Sequence, residues 1–272
     1  MSDLQALILG FLQGFTEWLP ISSTAHLAVA LHLFGLSESQ GMGAAFTAVS
    51  QLGSVLAAVV YFRKDIADVL LRPAGSSAEP DRADRRLLMP VIIGTIPVVV
   101  CGVLLKDAIE GPFRALHVIA GSMISFGIIL AVVEKKAKRT RRLGSIGVWD
   151  GLAIGIGQAF SLMPGASRSG TTITAALACG LERATAARFS FLLSLPAITG
   201  AGLYELVKHR EAIVAAQMTR PIILATIMAF IVGWATIDFL IKFLRRHPTY
   251  VFVWYRVVVG VIIMALVMGG LL

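Results

Sequence analysis

The sequence predicts an all-α integral membrane protein with six transmembrane helices and two re-entrant helical hairpins. Of its 272 residues, 57% are hydrophobic and 15% are charged, and the mean hydropathy is +0.81. Ordinary soluble domains carry about one quarter charged residues. In addition, two polar stretches interrupt the apolar sequence and divide it into arms too short to cross a bilayer. Composition and interruption together indicate a membrane protein with a polar site at its centre.

The first predicted element is a re-entrant hairpin at the N-terminus. Its arms, 4–19 and 21–35, are separated by Pro20 and a run of hydroxyl side chains. A helix needs about 20 apolar residues to span the hydrocarbon core, so neither arm spans alone. Irregular backbone at membrane depth must be buried in protein or line a wet cavity. The break therefore predicts a position inside the protein.

Six longer apolar runs and a second hairpin make up the rest of the chain. Each run is long enough to cross about 30 Å of hydrocarbon. The runs are 44–62, 87–105, 115–133, 186–207, 221–241 and 249–271. The second hairpin has arms 148–163 and 168–180, with Pro164 and Gly165 at its break.

The two hairpins resemble each other. Both 13–26 and 158–172 carry Gln-x-Phe-Thr/Ser, then a proline, then a serine-rich turn. Downstream, 46–61 aligns with 189–204 at nearly the same distance from its own break. Such self-similarity is typical of an internal duplication.

We therefore predict one membrane domain over 1–272, with internal repeats at about 1–134 and 148–272. Each repeat holds one hairpin and three spans. An odd number of spans inserts the second repeat upside down, which gives inverted-topology repeats around a central site.

Positive charges in the short loops predict the orientation. Loops 63–86, 134–147 and 242–248 hold six, six and three Lys/Arg, against two in 106–114 and three in 208–220. The first group should face the cytoplasm, which places both termini and the opening of the first hairpin on the outer side. Because the net charge of +8 arises in these loops, we expect no nucleic-acid partner.

The first break combines a carboxylate with hydroxyl and imidazole groups. Gln13 and Glu17 are four residues apart and share a helix face. Ser23 and His26 lie three residues apart beyond the break, and such a pair can act as nucleophile and base. Two further hydroxyls at this helix start can cap it: Ser22 and Thr24.

The second break predicts an anion site. Arg168 lies at a helix start, where free backbone N–H groups favour an anion. Its planar guanidinium suits bidentate phosphate binding. Hydroxyl groups surround it at Ser167, Ser169, Thr171 and Thr172. A phosphate or pyrophosphate fits better than a carboxylate, although Glu17 and Arg168 alone would also be explained as a structural ion pair.

Other polar residues are expected at the edges of the membrane. Arg256 begins the last span, and we expect it at a solvated helix end within reach of lipid headgroups. Four histidines at helix ends or in loops are expected to be interfacial: His32, His117, His209 and His247. The two cysteines, Cys101 and Cys179, lie in apolar surroundings and indicate packing.

At these residues the chain resembles the undecaprenyl pyrophosphate phosphatase family, the bacitracin-resistance proteins of bacterial cell-wall synthesis. The family motif (E/Q)xxxE is matched at 13–17, PxSSTxH at 20–26 and PGxSRSxxT at 164–172. The similarity covers nearly the whole chain, and the motifs occur in the family order.

The resemblance implies hydrolysis of undecaprenyl pyrophosphate to undecaprenyl phosphate and phosphate at the outer, periplasmic face of the bacterial plasma membrane. This reaction recycles the lipid carrier of peptidoglycan synthesis and confers bacitracin resistance. The implied cofactor is a divalent cation such as magnesium, held by Glu17 and Gln13. The implied catalytic residues are Glu17, Ser23, His26 and Arg168, and the phosphate-binding residues are Ser22, Thr24, Gly165, Ser167, Ser169 and Thr172.

Several alternatives stay open at this point. Ser23 with His26 as its base is the preferred nucleophile, with Glu17 orienting His26 or holding the metal; His26 attacking directly is the rival. The competing function is a lipid-phosphate flippase or anion transporter on the same inverted-repeat site. Beyond the lipid substrate and membrane lipids, the partners are open, and a homodimer is one alternative.

Overall fold

The computed structural model describes residues 1–36, 42–75 and 81–271, and the regular structure in these ranges is helical. Two short helices follow the N-terminus, and a second pair of short helices lies in the middle of the chain. The helices are α1 Asp3–Trp18, α2 Ser23–Leu33, α3 Met42–Tyr61, α4 Arg63–Leu71, α5 Leu88–Leu104, α6 Lys106–Glu110, α7 Leu116–Lys136, α8 Val148–Ala159, α9 Arg168–Ala178, α10 Arg183–Ala215, α11 Thr219–Leu244 and α12 Tyr250–Met268.

The predicted spans are confirmed as helices. In the described ranges, α5, α7, α10, α11 and α12 are long and apolar enough to cross a bilayer. The sixth run corresponds to α3, which continues into α4 after a bend of 67°. Apolar side chains such as Ile96 and Val103 are exposed along α5, as expected for a surface covered by lipid. The chain is a multi-pass helical membrane protein.

Both predicted hairpins form, and their breaks have the same backbone conformation. Ser22 caps α2 with φ 75° and accepts a hydrogen bond from the Ala25 N–H at 3.3 Å. Ser167 caps α9 with φ 69° and accepts from the Gly170 N–H at 3.2 Å. A positive φ is uncommon for a residue with a side chain and costs free energy. Because backbone strain of this kind is typical of functional sites, the two serines at matching positions indicate that both turns belong to such a site.

The two halves of the chain pack reciprocally. The first arm of each hairpin lies along a helix of the other half: α1 along α11, and α8 along α5. A Cβ at Gly10 would meet the Ala225 carbonyl oxygen at 2.4 Å, and one at Gly155 would meet that of Gly94 at 2.2 Å. Two further pairs, α3 with α10 and α7 with α12, join equivalent helices of the halves. These contacts support the predicted duplication, whose inverted orientation stays a prediction.

Gly155→Ala is expected to destabilise the fold. The added methyl group would overlap the Gly94 backbone, which has no flexible end to move, and overpacking of this kind costs about 1–3 kcal/mol. The matched control is Gly121→Ala in α7, where the new methyl group meets nothing within 4 Å. Thermal unfolding in detergent measures both. Equal melting temperatures of the two variants would show that α8 and α5 can move apart to accommodate a methyl group without loss of stability.

A buried ionic cluster joins the ends of α7, α10 and α12. Glu134 is 1% exposed and accepts hydrogen bonds from Arg183, from the Thr249 hydroxyl at 2.8 Å and from Arg139 at 2.7 Å. The cluster lies among the loops predicted to be cytoplasmic. It holds three spans together without contributing to the cleft described next.

Candidate active site

Glu17, at the end of α1, is the centre of the polar site. Its Oε1 accepts hydrogen bonds from Gln51 Nε2 at 2.9 Å and from Arg168 Nη2 at 3.0 Å. Its Oε2 accepts from Gln13 Nε2 and from Ser23 Oγ, both at 2.9 Å. The residue is 5% exposed. Four donors from four helices therefore hold this one buried carboxylate in place.

Arg168 opens α9 and joins the second hairpin to the first. Its Nη2 forms an ion pair with Glu17, which the sequence leaves open as a structural alternative, and its guanidinium carbon lies 4.5 Å from the centre of the Trp18 ring. Nε and Nη1 are buried and, within the described part of the chain, have no hydrogen-bond partner. Because the described protein groups leave these two nitrogens unpaired, they can donate hydrogen bonds to an anion.

A cleft of about 560 Å³ adjoins this pair, a size typical of ligand sites. Six of the predicted site residues line it: Gln13, Glu17, Ser23, Thr24, Ser167 and Arg168. Its far end is lined by Ile109 and Arg114 and by Glu205, Lys208 and His209. These residues lie in or beside the loops predicted to face outward. The cleft therefore joins the hairpin breaks to the predicted outer side.

The remaining predicted phosphate-binding residues support the turns and do not line the cleft. Ser169 Oγ donates to the Leu19 carbonyl oxygen at 2.8 Å, which ties the two breaks together. Thr172 Oγ1 donates to the Arg168 carbonyl oxygen at 2.7 Å. Gly165 has φ +91°, and a Cβ there would lie 2.2 Å from the Ile119 carbonyl oxygen. Ser22 is buried as the cap of α2.

His26 has partners other than those expected. Its Nδ1 lies 2.7 Å from the Ser22 carbonyl oxygen, and its Nε2 lies 2.6 Å from the Tyr255 hydroxyl. Since a carbonyl only accepts, Nδ1 carries a proton, and if the ring is neutral its Nε2 accepts from the Tyr255 hydroxyl. Among the described residues, His26 is hydrogen-bonded to neither Ser23 nor Glu17, and it does not line the cleft.

Among the described residues, the expected hydrogen bonds of His26 with Ser23 and with Glu17 are not formed in this conformation, and the roles of these residues in the reaction stay predictions. The left-handed turn at Ser22 is the physical reason for this arrangement. It starts α2 so that the Ser23 hydroxyl points back to Glu17, while the imidazole bonds the Ser22 carbonyl oxygen. Spacing along a helix predicts a shared face, but not the direction in which the first residue after a strained turn points.

The prediction that Arg256 lies at a solvated helix end is wrong. It is 0% exposed and lies between the two hairpin breaks. Its Nη2 donates to the carbonyl oxygens of Ala166 at 2.8 Å and Gly165 at 3.2 Å, its Nε to that of Met123 at 3.2 Å, and its Nη1 to that of Pro20 at 3.4 Å. Three of the four acceptors are backbone carbonyls of the two hairpin breaks, and the fourth is a carbonyl of α7, so no side-chain pattern reveals them.

Two further glutamines line the cleft that the sequence reasoning did not select, Gln51 and Gln158. For Gln158 the signal was present, because it aligns with Gln13 in the duplication. Among the described residues, no group of three or more His, Cys, Asp or Glu could hold a metal ion. The groups beside Glu17 are the Gln13 and Gln51 amides and the Ser23 hydroxyl, and such carboxylate, amide and hydroxyl side chains carry oxygen ligands of the kind that magnesium uses together with substrate phosphate and water.

The fold and the site define a polytopic membrane protein in which two broken helical hairpins enclose a carboxylate and an arginine that suits an anion. Comparisons with known proteins are consistent with this class. The family described as "Bacitracin resistance protein BacA" matches residues 6–262. The "Undecaprenyl-diphosphatase" of Myxococcus xanthus (strain DK1622) is 48% identical, over 99% of this chain and 91% of that protein.

Two further relatives carry the same name. That of Nostoc sp. (strain PCC 7120 / SAG 25.82 / UTEX 2576) is 44% identical over 100% of this chain and 86% of its own length. That of Renibacterium salmoninarum is 42% identical over 100% of this chain and 98% of its own length. The chain belongs to the BacA family.

Proposed function

We propose that this protein is an undecaprenyl-diphosphatase, a hydrolase that releases phosphate from undecaprenyl pyrophosphate in the bacterial plasma membrane. The observation that carries the proposal is Arg168, two of whose nitrogens, Nε and Nη1, are buried beside Glu17 and have no hydrogen-bond partner among the described residues. A cleft with an outward-facing end, in a protein surrounded by lipid, suits a substrate whose headgroup is anionic and whose tail stays in the bilayer. The names of the relatives support the same reaction.

In the proposed mechanism Ser23 attacks the terminal phosphorus. Its hydroxyl already donates to Glu17 Oε2 at 2.9 Å, so Glu17 takes the proton as the Ser23 Oγ–P bond forms. The bond from that phosphorus to the bridging oxygen breaks, and undecaprenyl phosphate leaves. Water then cleaves the phosphoserine to give inorganic phosphate and free Ser23. Arg168 stabilises the negative charge throughout, because phosphoryl transfer depends mainly on positioning and charge.

Glu17 and Gln13 are the residues that would hold a divalent cation in this cleft. When bound, it would supply positive charge to the pyrophosphate. Bacitracin resistance, the role in the family's description, follows from returning the carrier lipid to peptidoglycan synthesis. We propose that the cleft faces the outer side of the membrane, which the position of Arg114 and His209 at its far end supports.

The test is phosphate release from undecaprenyl pyrophosphate by the purified protein in detergent with magnesium. We expect release by the wild type and a loss of about 10²–10³-fold in Arg168→Ala, as for removal of one preorganised charge-stabilising group. Arg220→Ala is the control, since Arg220 pairs with Asp3 at an exposed position where an ion pair contributes little. Arg168→Lys separates loss of charge from loss of the guanidinium fork.

A well-folded wild type that releases no phosphate would contradict the proposal. The flippase or anion transporter would then be the function to test, by movement of labelled lipid phosphate across vesicles.

A further inference from the structure

Gln158, in α8, is a buried amide without a partner. It is 1% exposed, and within the described part of the chain neither its Nε2 nor its Oε1 has a hydrogen-bond partner. It lines the same cleft as Arg168. Buried amides are nearly always hydrogen-bonded, because leaving one unpaired is costly. Because Gln158 lines the cleft, a bound ligand is the partner that this amide would have there.

Gln13, the residue of the first hairpin that matches Gln158, has a hydrogen-bond partner. Its Nε2 donates to Glu17, four residues later, at 2.9 Å. Four residues after Gln158 the chain has Leu162, so the second hairpin offers this amide no carboxylate. Its cleft surface therefore presents the Gln158 amide together with the free Nε and Nη1 of Arg168. One hairpin supplies the negative group of the site, and the other supplies only neutral and positive donors.

We propose that Gln158 binds the phosphate of the substrate directly. Its Nε2 donates to a phosphate oxygen beside the Nε and Nη1 nitrogens of Arg168, and its Oε1 accepts from a water or from a phosphate hydroxyl. The anion thus lies against the second hairpin, at the nitrogens of Arg168 that Glu17 does not occupy, while Glu17 pairs with Nη2 of the same arginine. The inference rests on the proposed function in taking the phosphate to be that of a lipid pyrophosphate.

Gln158→Met tests this, because methionine has nearly the same length and no hydrogen-bonding amide. We expect KM for undecaprenyl pyrophosphate to rise about tenfold or more, the loss expected for one hydrogen bond to a charged group. The melting temperature should stay equal or rise, since an unpaired buried amide is removed. A merely structural Gln158 predicts the reverse: a lower melting temperature with KM unchanged.

The matched control is Ser54→Ala. Ser54 is also fully buried, its Oγ also has no partner among the described residues, and it does not line the cleft. Its replacement should leave KM at the wild-type value. If Gln158→Met does not fold, Gln158→Glu serves in its place, because it keeps size and polarity and should raise KM by repelling the phosphate.

Binding of inorganic pyrophosphate separates this inference from the proposed function. We expect pyrophosphate with magnesium to raise the melting temperature of the wild type, and to do so much less in Gln158→Met. If the wild type shows this shift but releases no phosphate, the function fails and the binding role of Gln158 stands. Phosphate release with wild-type KM and a wild-type shift in Gln158→Met would overturn the role of Gln158 alone. A wild type that neither shifts nor reacts would overturn both.

Discussion

Glu17→Gln is expected to reduce phosphate release by about 10²–10⁴-fold, the range for removal of a general base. Glutamine has the same shape, so the change removes charge with little change in packing. The substitution removes the basic acceptor of the Ser23 hydroxyl and the negative charge that pairs with Arg168. It also weakens the binding of any cation beside Gln13. The measurement is kcat in detergent with saturating lipid and magnesium.

Loss of stability must be separated from loss of chemistry in this variant. Glu134→Gln is the matched control, because Glu134 is equally buried and paired with arginine but lies outside the cleft. It should lower the melting temperature, while turnover per folded molecule stays near the wild-type value. A Glu17→Gln enzyme with wild-type kcat would refute the assignment of Glu17 as the proton acceptor.

Most of the fold is predictable from the sequence because the patterns that indicate it extend over whole segments. Each of the six long apolar runs corresponds to a helix, and both breaks occur where proline and hydroxyl residues interrupt the pattern. The duplication also predicts that the two breaks meet, and Glu17 and Arg168 are indeed 3.0 Å apart although 151 residues separate them. These features depend on composition and periodicity, which are properties of whole segments.

The hydrogen-bond partners within the site depend on local backbone geometry, which the identities of the residues alone do not determine. Ser23 and His26 have the spacing of a nucleophile and its base, yet the strained turn at Ser22 directs the hydroxyl to Glu17. Tyr255, the partner of His26, comes from a helix more than 200 residues away along the chain. Whether His26 acts in the reaction stays a prediction, and an acid-labile phosphohistidine would favour it over Ser23 as nucleophile.

Arg256→Met is expected to lower the melting temperature more than any cleft substitution and to abolish phosphate release with it. Removing the guanidinium leaves buried carbonyl oxygens of both hairpin breaks without a donor, among them those of Gly165, Ala166 and Pro20. Each unpaired acceptor costs about 1–3 kcal/mol. Because these carbonyls adjoin Ser167 and Ser22, the positions of Arg168 and Ser23 depend on the same contacts.

Arg256→Lys distinguishes the charge of this residue from its geometry. A lysine keeps the positive charge but, as a single ammonium group, it cannot reproduce the fork that reaches both hairpins. We therefore expect a melting temperature between those of the wild type and Arg256→Met, with kcat reduced more than KM is changed. The control is Arg210→Met, at an exposed position on α10. Wild-type stability and turnover in Arg256→Met would show that the two hairpins hold their positions without this contact, and that the four carbonyl groups find water instead.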